Sequence, residues 1–366
     1  MDELLTRHGA EACIGCGRCT YTCPAARRYE FSPRDMVERL AAGLPVEAGL
    51  WACTACRACS AQCSAGVDVP GLVRDLRRRS NEGPLPAHHD VLGKVRRLSS
   101  DPALRPRTHR WLSPGLRTDP ASPVLLFVGC LPYFDPVFRG FRPDLLDIPR
   151  AAVRLLNAAG IAPRLLEAER CCGHDAHWMG EDEVFERLAG LNMAAVEEAG
   201  VEEVVTVCPE CRSAWKDLYP RRVGGRLKVR HVGEVAAAAL ADGRLELAQG
   251  DEVLTYQDPC WLGREGVVEE PRAALRAVGR LAEMPRHGEA AACCGVASWT
   301  NCDRTAKGVQ LDRLREAGAT GAGTLVTACP KCLVHLSCAL AHHPDAAPPL
   351  LIEDLSVVLA SRLKAK

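Results

Sequence analysis

From residue 124 onward, short continuously apolar runs alternate with longer stretches whose apolar positions recur every three or four residues. "PVLLFVGC" predicts a strand buried on both faces, and "IPRAAVRLLNAAG" predicts a helix that stops at Gly160. "APRLLEAERCCG", "EDEVFERLAGLNMAAVEEAG" and "VEEVVTVCPEC" continue as strand, helix and strand. The rhythm then repeats. "DEVLTYQDPC" reads as strand and loop, "EEPRAALRAVG" and "DRTAKGVQLDRLREAG" as helices, and "GTLVTACPKC" as strand and loop. The tail "LLIEDLSVVLASRL" reads as an amphipathic closing helix. Alternation of this kind is the mark of α/β domains with parallel sheets.

The N-terminal part has a different pattern. "SPRDMVERLAAG" predicts a short helix capped by Ser32, with Pro33 at its first position and Gly43 at its stop. "DVPGLVRDLRRRS" predicts a second helix from Asp68, with Arg77, Arg78 and Arg79 at the end where the helix dipole favours cations. That triplet reads as a solvated helix end, with a docking patch for an electron-transfer partner as the sharper alternative. Residues 81–123 repeat Pro, Arg and Ser and predict a partly irregular connector, in which Trp111 anchors the segment to its own protein. The expected organisation is α/β: a mainly α-helical domain over 1–80, a connector over 81–123, and repeated α/β domains over 124–250 and 251–366.

Composition narrows the chemistry. At 366 residues the chain can bury two or three cores. Aromatic residues are only 5% of it, so those cores are built mostly from Ala, Leu and Val. Lys plus Arg and Asp plus Glu each number 46, so charge gives no reason to expect nucleic acid or an acidic membrane surface. No apolar run approaches a membrane span, and "MDELLTRHGAEAC" lacks a signal-peptide pattern, so the expected location is cytoplasmic, with any membrane attachment made through a partner. In such a setting, 20 cysteines in clustered C-x2-C spacings point to metal rather than disulfides.

Cys13, Cys16, Cys19 and Cys23, followed by Pro24, and Cys53, Cys56, Cys59 and Cys63 both follow C-x2-C-x2-C-x3-C. This is the run of two-cluster ferredoxins, in which the fourth cysteine ligates the other cluster. One cubane [4Fe–4S] cluster is therefore assigned to Cys13, Cys16, Cys19 and Cys63, and its neighbour to Cys53, Cys56, Cys59 and Cys23. The 29 residues between Cys23 and Cys53 favour a helical two-cluster module over a compact ferredoxin. Zinc sites use paired C-x2-C elements and leave the third cysteine of each run surplus.

The α/β part carries a duplicated cysteine pattern. The first copy holds Cys130, the pair Cys171 and Cys172 before Gly173, then Cys208 and Cys211; the second holds Cys260, Cys293 and Cys294 before Gly295, then Cys329 and Cys332. From the glycine to the next cysteine there are 34 residues in one copy and 33 in the other, which marks a repeat. The gap before the pair differs, 40 residues against 32, so the first copy is expected to have a modified loop. In "CPEC" and "CPKC" the first cysteine closes a strand and Pro209 or Pro330 suits the first helical turn, where free N–H groups and the dipole favour thiolate. The glycines are expected to let the backbone approach a cluster closely. Four thiolates saturate zinc, so a fifth, adjacent to another, is natural only for a multi-iron centre.

The C, CCG and C-x2-C arrangement, occurring twice, resembles the catalytic subunit of the heterodisulfide reductases, and the N-terminal groups resemble their electron-entry subunit. The resemblance covers residues 13–63 and about 124–338, as in a fusion of the two. It implies a noncubane [4Fe–4S] cluster on Cys130, Cys171, Cys172, Cys208 and Cys211, and another on Cys260, Cys293, Cys294, Cys329 and Cys332. It further implies that electrons enter at the cubanes and that a small disulfide is reduced to two thiols between the noncubane pair. The wider family includes relay subunits of dehydrogenases and quinone-directed subunits, several with an incomplete motif in one repeat; all ten cysteines are kept here, although an intact cluster can also serve as a relay. No glycine-rich dinucleotide fingerprint stands beside a strand, so flavin or nicotinamide chemistry is expected from a partner, a flavoprotein or iron–sulfur donor subunit in a hetero-oligomer.

Around these motifs, His174, His177 and Trp178 in the first copy and Ser298 and Trp299 in the second are expected to pack around a cluster, with cavity lining as the alternative. Cys302 and Cys338 are expected to be buried small apolar residues. Asp258 and Arg264 are expected to form an ion pair, with anchoring of an anionic substrate as the alternative.

Overall fold

The computed structural model describes residues 2–364 apart from 30, 47–48, 81–86, 105, 107–108, 141–143, 223, 225–226 and 297–301. Its N-terminal module is helical. Ser32 Oγ accepts from the Asp35 amide at 3.1 Å and starts the helix Pro33–Ala41. Asp68 Oδ1 accepts from the Gly71 amide at 3.2 Å and starts Val69–Arg79. These helices bury Met36, Leu40, Leu72 and Val73 in a core of their own, to which Cys23, Cys53 and Cys59 also belong.

The arginines at the end of Val69–Arg79 are not a uniform solvated surface. Arg78 and Arg79 are exposed, but Arg77 is 3% exposed and donates to the carbonyls of Leu50, Cys53 and Trp178. It therefore ties the second cysteine loop to the next domain. Arg74 adds bonds to Asp182 and to the His177 carbonyl. On the other side, Arg28 chelates Asp312 and Tyr29 Oη donates to Asp303, so the module is held against both repeats.

Two parallel sheets follow. The first has the order β1 (Val124–Phe127), β2 (Glu203–Thr206), β3 (Lys228–His231). The second places β4 (Val253–Gln257) between β5 (Arg280–Leu281) and β6 (Thr324–Thr327), with β7 (Leu351–Asp354) beyond β6. Thr206 pairs with Phe127 and His231, and Thr327 with Gln257 and Asp354, so the copies share one register. "APRLLEAERCCG" is not a strand: only Arg164 bridges to Leu125 before the chain leaves the sheet. The tail is β7 followed by the helix Leu355–Ser361, and its counterpart β3 leads into Val232–Ala241.

The repeats share a core. Asp147–Ala158 packs on Leu355–Ser361, and Val232–Ala241 packs on Glu269–Arg276, each contact joining a helix of one copy to a helix of the other. Leu126, Leu155, Val235, Leu275, Leu325 and Leu359 all lie in the one apolar cluster this creates. The connector contributes Trp111, which is 3% exposed in that core, and also contains the helix Val91–Ser99. The end of that helix reaches the first cysteine pair: Ser99 Oγ accepts from the Cys171 amide at 3.1 Å.

Candidate metal centres

Cys13, Cys16, Cys19 and Cys63 line one cavity in the N-terminal module. Cys16 is exposed, so this site lies near the surface. Cys53, Cys56 and Cys59 are buried beside Cys23, the last cysteine of the other run. Burial pushes the Cys23 and Cys53 thiols above their ordinary range. A cationic centre would reverse that cost, and the loops already supply N–H···S bonds, from Ala55 to Cys53 and from Val67 to Cys63, both 3.4 Å.

In the first repeat, Cys130 lies within hydrogen-bonding reach of Cys171, Cys171 of Cys172, Cys172 of Cys211, and Cys211 of Cys208. In the second, Cys260 reaches Cys293, and Cys293 reaches Cys294. Cys294 Sγ lies 3.1 Å from Cys332 Sγ, and Cys332 reaches Cys329. All ten predicted residues therefore gather as two groups of five. The groups also meet: Cys208, which caps Pro209–Ser213, reaches Cys329, which caps Pro330–His342. A second such contact joins Cys56 of the N-terminal module to Cys293. The thiols thus form one series, from the surface site through the buried four to the second repeat and then the first.

Gly173 and Gly295 stand at φ 73° and 86°, in the left-handed region, and each donates its amide to a cysteine two residues back, at 3.5 and 3.3 Å. A Cβ at either would lie 3.0 Å from Phe185 or Val309, so the glycines fit the turn and its packing. Gly129, at φ 64°, is where the backbone comes close to the thiols, since a Cβ there would lie 3.2 Å from Cys211 Sγ.

Three residues absent from the sequence-based site shape the first repeat. Glu169 accepts from the amides of Val128 at 2.9 Å and Gly129 at 2.5 Å, holding the loop before Cys130; burial pushes its carboxyl up to about 8. Glu210 and Lys331 occupy the same place in "CPEC" and "CPKC". Lys331, 5% exposed, pairs with both Glu210 and Asp175. Burial moves the Glu210 carboxyl up to about 6, against the pull of the ammonium. Ligand atoms of His174, Asp175 and Glu210 lie within 4.8 Å of one another, but Lys331 already supplies the cation. A lone charge inside the otherwise apolar C-P-x-C turn was the available signal, and its opposite sign in the two copies was the clue to pairing.

Other residues depart from expectation. Asp258 pairs with Arg272 through both oxygens, at 2.7 and 2.9 Å, while Arg264 donates to the Ala291 carbonyl at 2.8 Å. Helical geometry explains the exchange, because Glu269–Arg276 brings Arg272 back over the strand end. Cys338 is buried, but Cys302 is exposed. His174 Nε2 accepts from Trp178 Nε1 at 3.1 Å and stands edge-on to Trp261 at 4.8 Å; His177 packs on Phe185 at 5.1 Å. Ser298 and Trp299 lie outside the described residues. No helix among the described residues is long and apolar enough to cross a membrane.

The chain matches the cysteine-rich CCG domain twice, over 124–216 and 254–337, and the 4Fe-4S dicluster domain over 9–67. It is an iron–sulfur protein of the CCG-domain class. It is 28% identical to one component of the fumarate reductase (CoM/CoB) of Methanothermobacter marburgensis, covering 88% of this chain and 67% of that one. To the EtfAB:quinone oxidoreductase of Syntrophomonas wolfei it is 28% identical over 89% of this chain, and it spans about half, 54%, of that protein. To one component of the dihydromethanophenazine:CoB–CoM heterodisulfide reductase of Methanosarcina mazei it is 26% identical, covering 96% of this chain and 94% of that one. The chain thus joins a 4Fe-4S dicluster domain to two CCG domains and is similar over most of its length to a component of a heterodisulfide reductase.

Proposed function

We propose that this chain passes single electrons through two cubane [4Fe–4S] centres to two noncubane [4Fe–4S] centres, where a small disulfide is reduced to two thiols, within a larger complex that includes a flavoprotein or iron–sulfur donor. The cubane ligands are Cys13, Cys16, Cys19 and Cys63, and Cys53, Cys56, Cys59 and Cys23. The noncubane ligands are Cys130, Cys171, Cys172, Cys208 and Cys211, and Cys260, Cys293, Cys294, Cys329 and Cys332. The contact of Cys208 with Cys329 carries the reading, because it sets two complete five-thiol groups side by side.

The donor set fits: soft thiolates, buried and approached by backbone N–H groups, suit iron–sulfur centres rather than hard cations. When bound, the clusters would supply one-electron steps and iron that accepts the substrate's sulfurs. The protein's own part is positional. Glu169 fixes the turn before Cys130, Ser99 fixes the amide of Cys171, and Lys331 offsets negative charge where the two groups meet. Trp178 and Trp261, 7% and 5% exposed, keep water from the side of Cys260.

A relay role between a flavoprotein and quinone is the second reading, favoured by the similarity to the EtfAB:quinone oxidoreductase. Iron, acid-labile sulfide and zinc counted per chain after anaerobic purification provide the first test. The proposal expects about sixteen irons with matching sulfide. It also expects the electron paramagnetic resonance spectrum of the oxidised chain to change with a disulfide or its thiols. Full loading with spectra indifferent to every disulfide tried would leave the relay reading, and zinc in a colourless protein would leave neither.

A further inference from the structure

The thiol series passes one cation. Arg264 follows the short helix Cys260–Gly263, and its Nη2 donates to the Ala291 carbonyl at 2.8 Å. Its Nε and Nη1 are buried and have no hydrogen-bond partner among the described residues. Two unmet guanidinium donors away from water are costly unless something accepts from them. The guanidinium lies within electrostatic reach of four thiols, Cys56 and Cys59 of the buried four-cysteine site and Cys260 and Cys293 of the second repeat. Cys56, Ala58, Cys293 and Cys260 pack directly on one another here. The side chain forms part of the wall of two clefts, one reaching Cys16 and Cys293 and the other Arg57 and Trp261. Arginine keeps its charge at any working pH, so this cation is permanent.

Building on the function proposed above, we propose that Arg264 is the shared cation of an electron handover between the inner cubane site and the second repeat. Its charge and its two unmet donors sit where the two thiol sites pack together, the second repeat receives electrons before the first, and the first is the end of the line. In the handover one electron leaves the inner site, which is oxidised by one, and enters the second repeat, which is reduced by one. No bond breaks and no proton moves. A fixed positive charge favours the reduced, more negative form on each side, so Arg264 raises both potentials and leaves the two remote sites alone.

The test uses the full chain with its iron and sulfide counted, in anaerobic redox titrations followed by electron paramagnetic resonance. With sixteen irons retained, Arg264→Gln is expected to make one of the two cubane signals and one of the two CCG signals harder to reduce, by at least tenfold in the one-electron equilibrium constant, about 59 mV. The other member of each pair stays in place, and Arg264→Lys, which keeps the charge, restores most of the shift. If the Gln variant loses iron, the Lys variant decides by a smaller shift of the same two signals. Four unmoved signals, or four moving together, overturn the handover while the proposed function stands. About eight irons in the unmodified chain overturn both, and the count identifies that case.

Discussion

The two cysteine loops of the N-terminal module have identical spacing and nearly identical backbones, yet they are built from different residues. In "CIGCGRC" the left-handed positions are Gly15 and Gly17, at φ 67° and 75°; in "CTACRAC" they are Ala55 and Arg57, at 46° and 62°. A left-handed residue with a side chain costs about 1–2 kcal/mol, so the second loop gives up stability that the first keeps. What it gains is contact. Ala55 packs with Trp178 and Trp261, and Arg57 lies 5.1 Å from the Trp261 ring centroid and 3.6 Å from Glu265. The glycine loop turns outward, with Ile14 and Tyr21 75% and 80% exposed. One loop is fitted to its own chain and the other faces solvent.

The comparison breaks most visibly at Trp261. Trp261→Ala should cost about 3–5 kcal/mol in anaerobic urea unfolding, as expected for a buried indole, while Tyr21→Ala should stay within about 0.5 kcal/mol; equal costs would mean that the inner loop is not specially supported. Next comes the seam. A Cβ at Gly180, at φ 81°, would lie 2.7 Å from the Arg78 amide nitrogen, so Gly180→Ala should destabilise by about 1–3 kcal/mol and speed protease cleavage between module and repeats. A smaller effect separates the loops directly. Gly17→Ala should cost about 1 kcal/mol, whereas Ala55→Gly should change stability by less than about 0.5 kcal/mol, because relieved strain offsets the lost methyl contact.

The smallest effect concerns the segment leading into the outer loop. Burial opposes the charge on His8, but hydrogen bonds to Asp68 and Asp75 prevail and raise its pKa from 6.5 to about 9. The folded state therefore holds the proton more tightly. This stability is complete below about pH 6.5 and is lost as pH rises through 9. Solvent screening keeps it under about 1 kcal/mol. The pH dependence of unfolding should lose that slope in His8→Gln.

Spacing made the cysteines readable, since cluster ligation dictates sequence intervals directly. It also placed the helix caps at Ser32 and Asp68 and the strands that end at the metal sites. Other features depend on which distant segment comes back to the site. β3 and β7 were missed because each alternates buried and open positions instead of forming a continuous apolar run, and each leads straight into a helix. Arg272 displaced Arg264 as the partner of Asp258 because a helix turn brings it closer than its place in the chain implies. Ser99 lies in a segment whose composition suggests only a linker, and Arg77 sits in a charge run whose members face different ways.

Glu210 and Lys331 stand at one position of a duplicated motif and meet at the junction of the copies. Two identical chains joined through an isologous contact would set this position against itself, two carboxylates or two ammonium groups, away from water. Tandem fusion removes that constraint, since each copy mutates alone and opposite charges become available at the axis. Once made, the choice gives the pseudo-dimer a polarity that no symmetric assembly of single repeats could have, and neither half can replace the other.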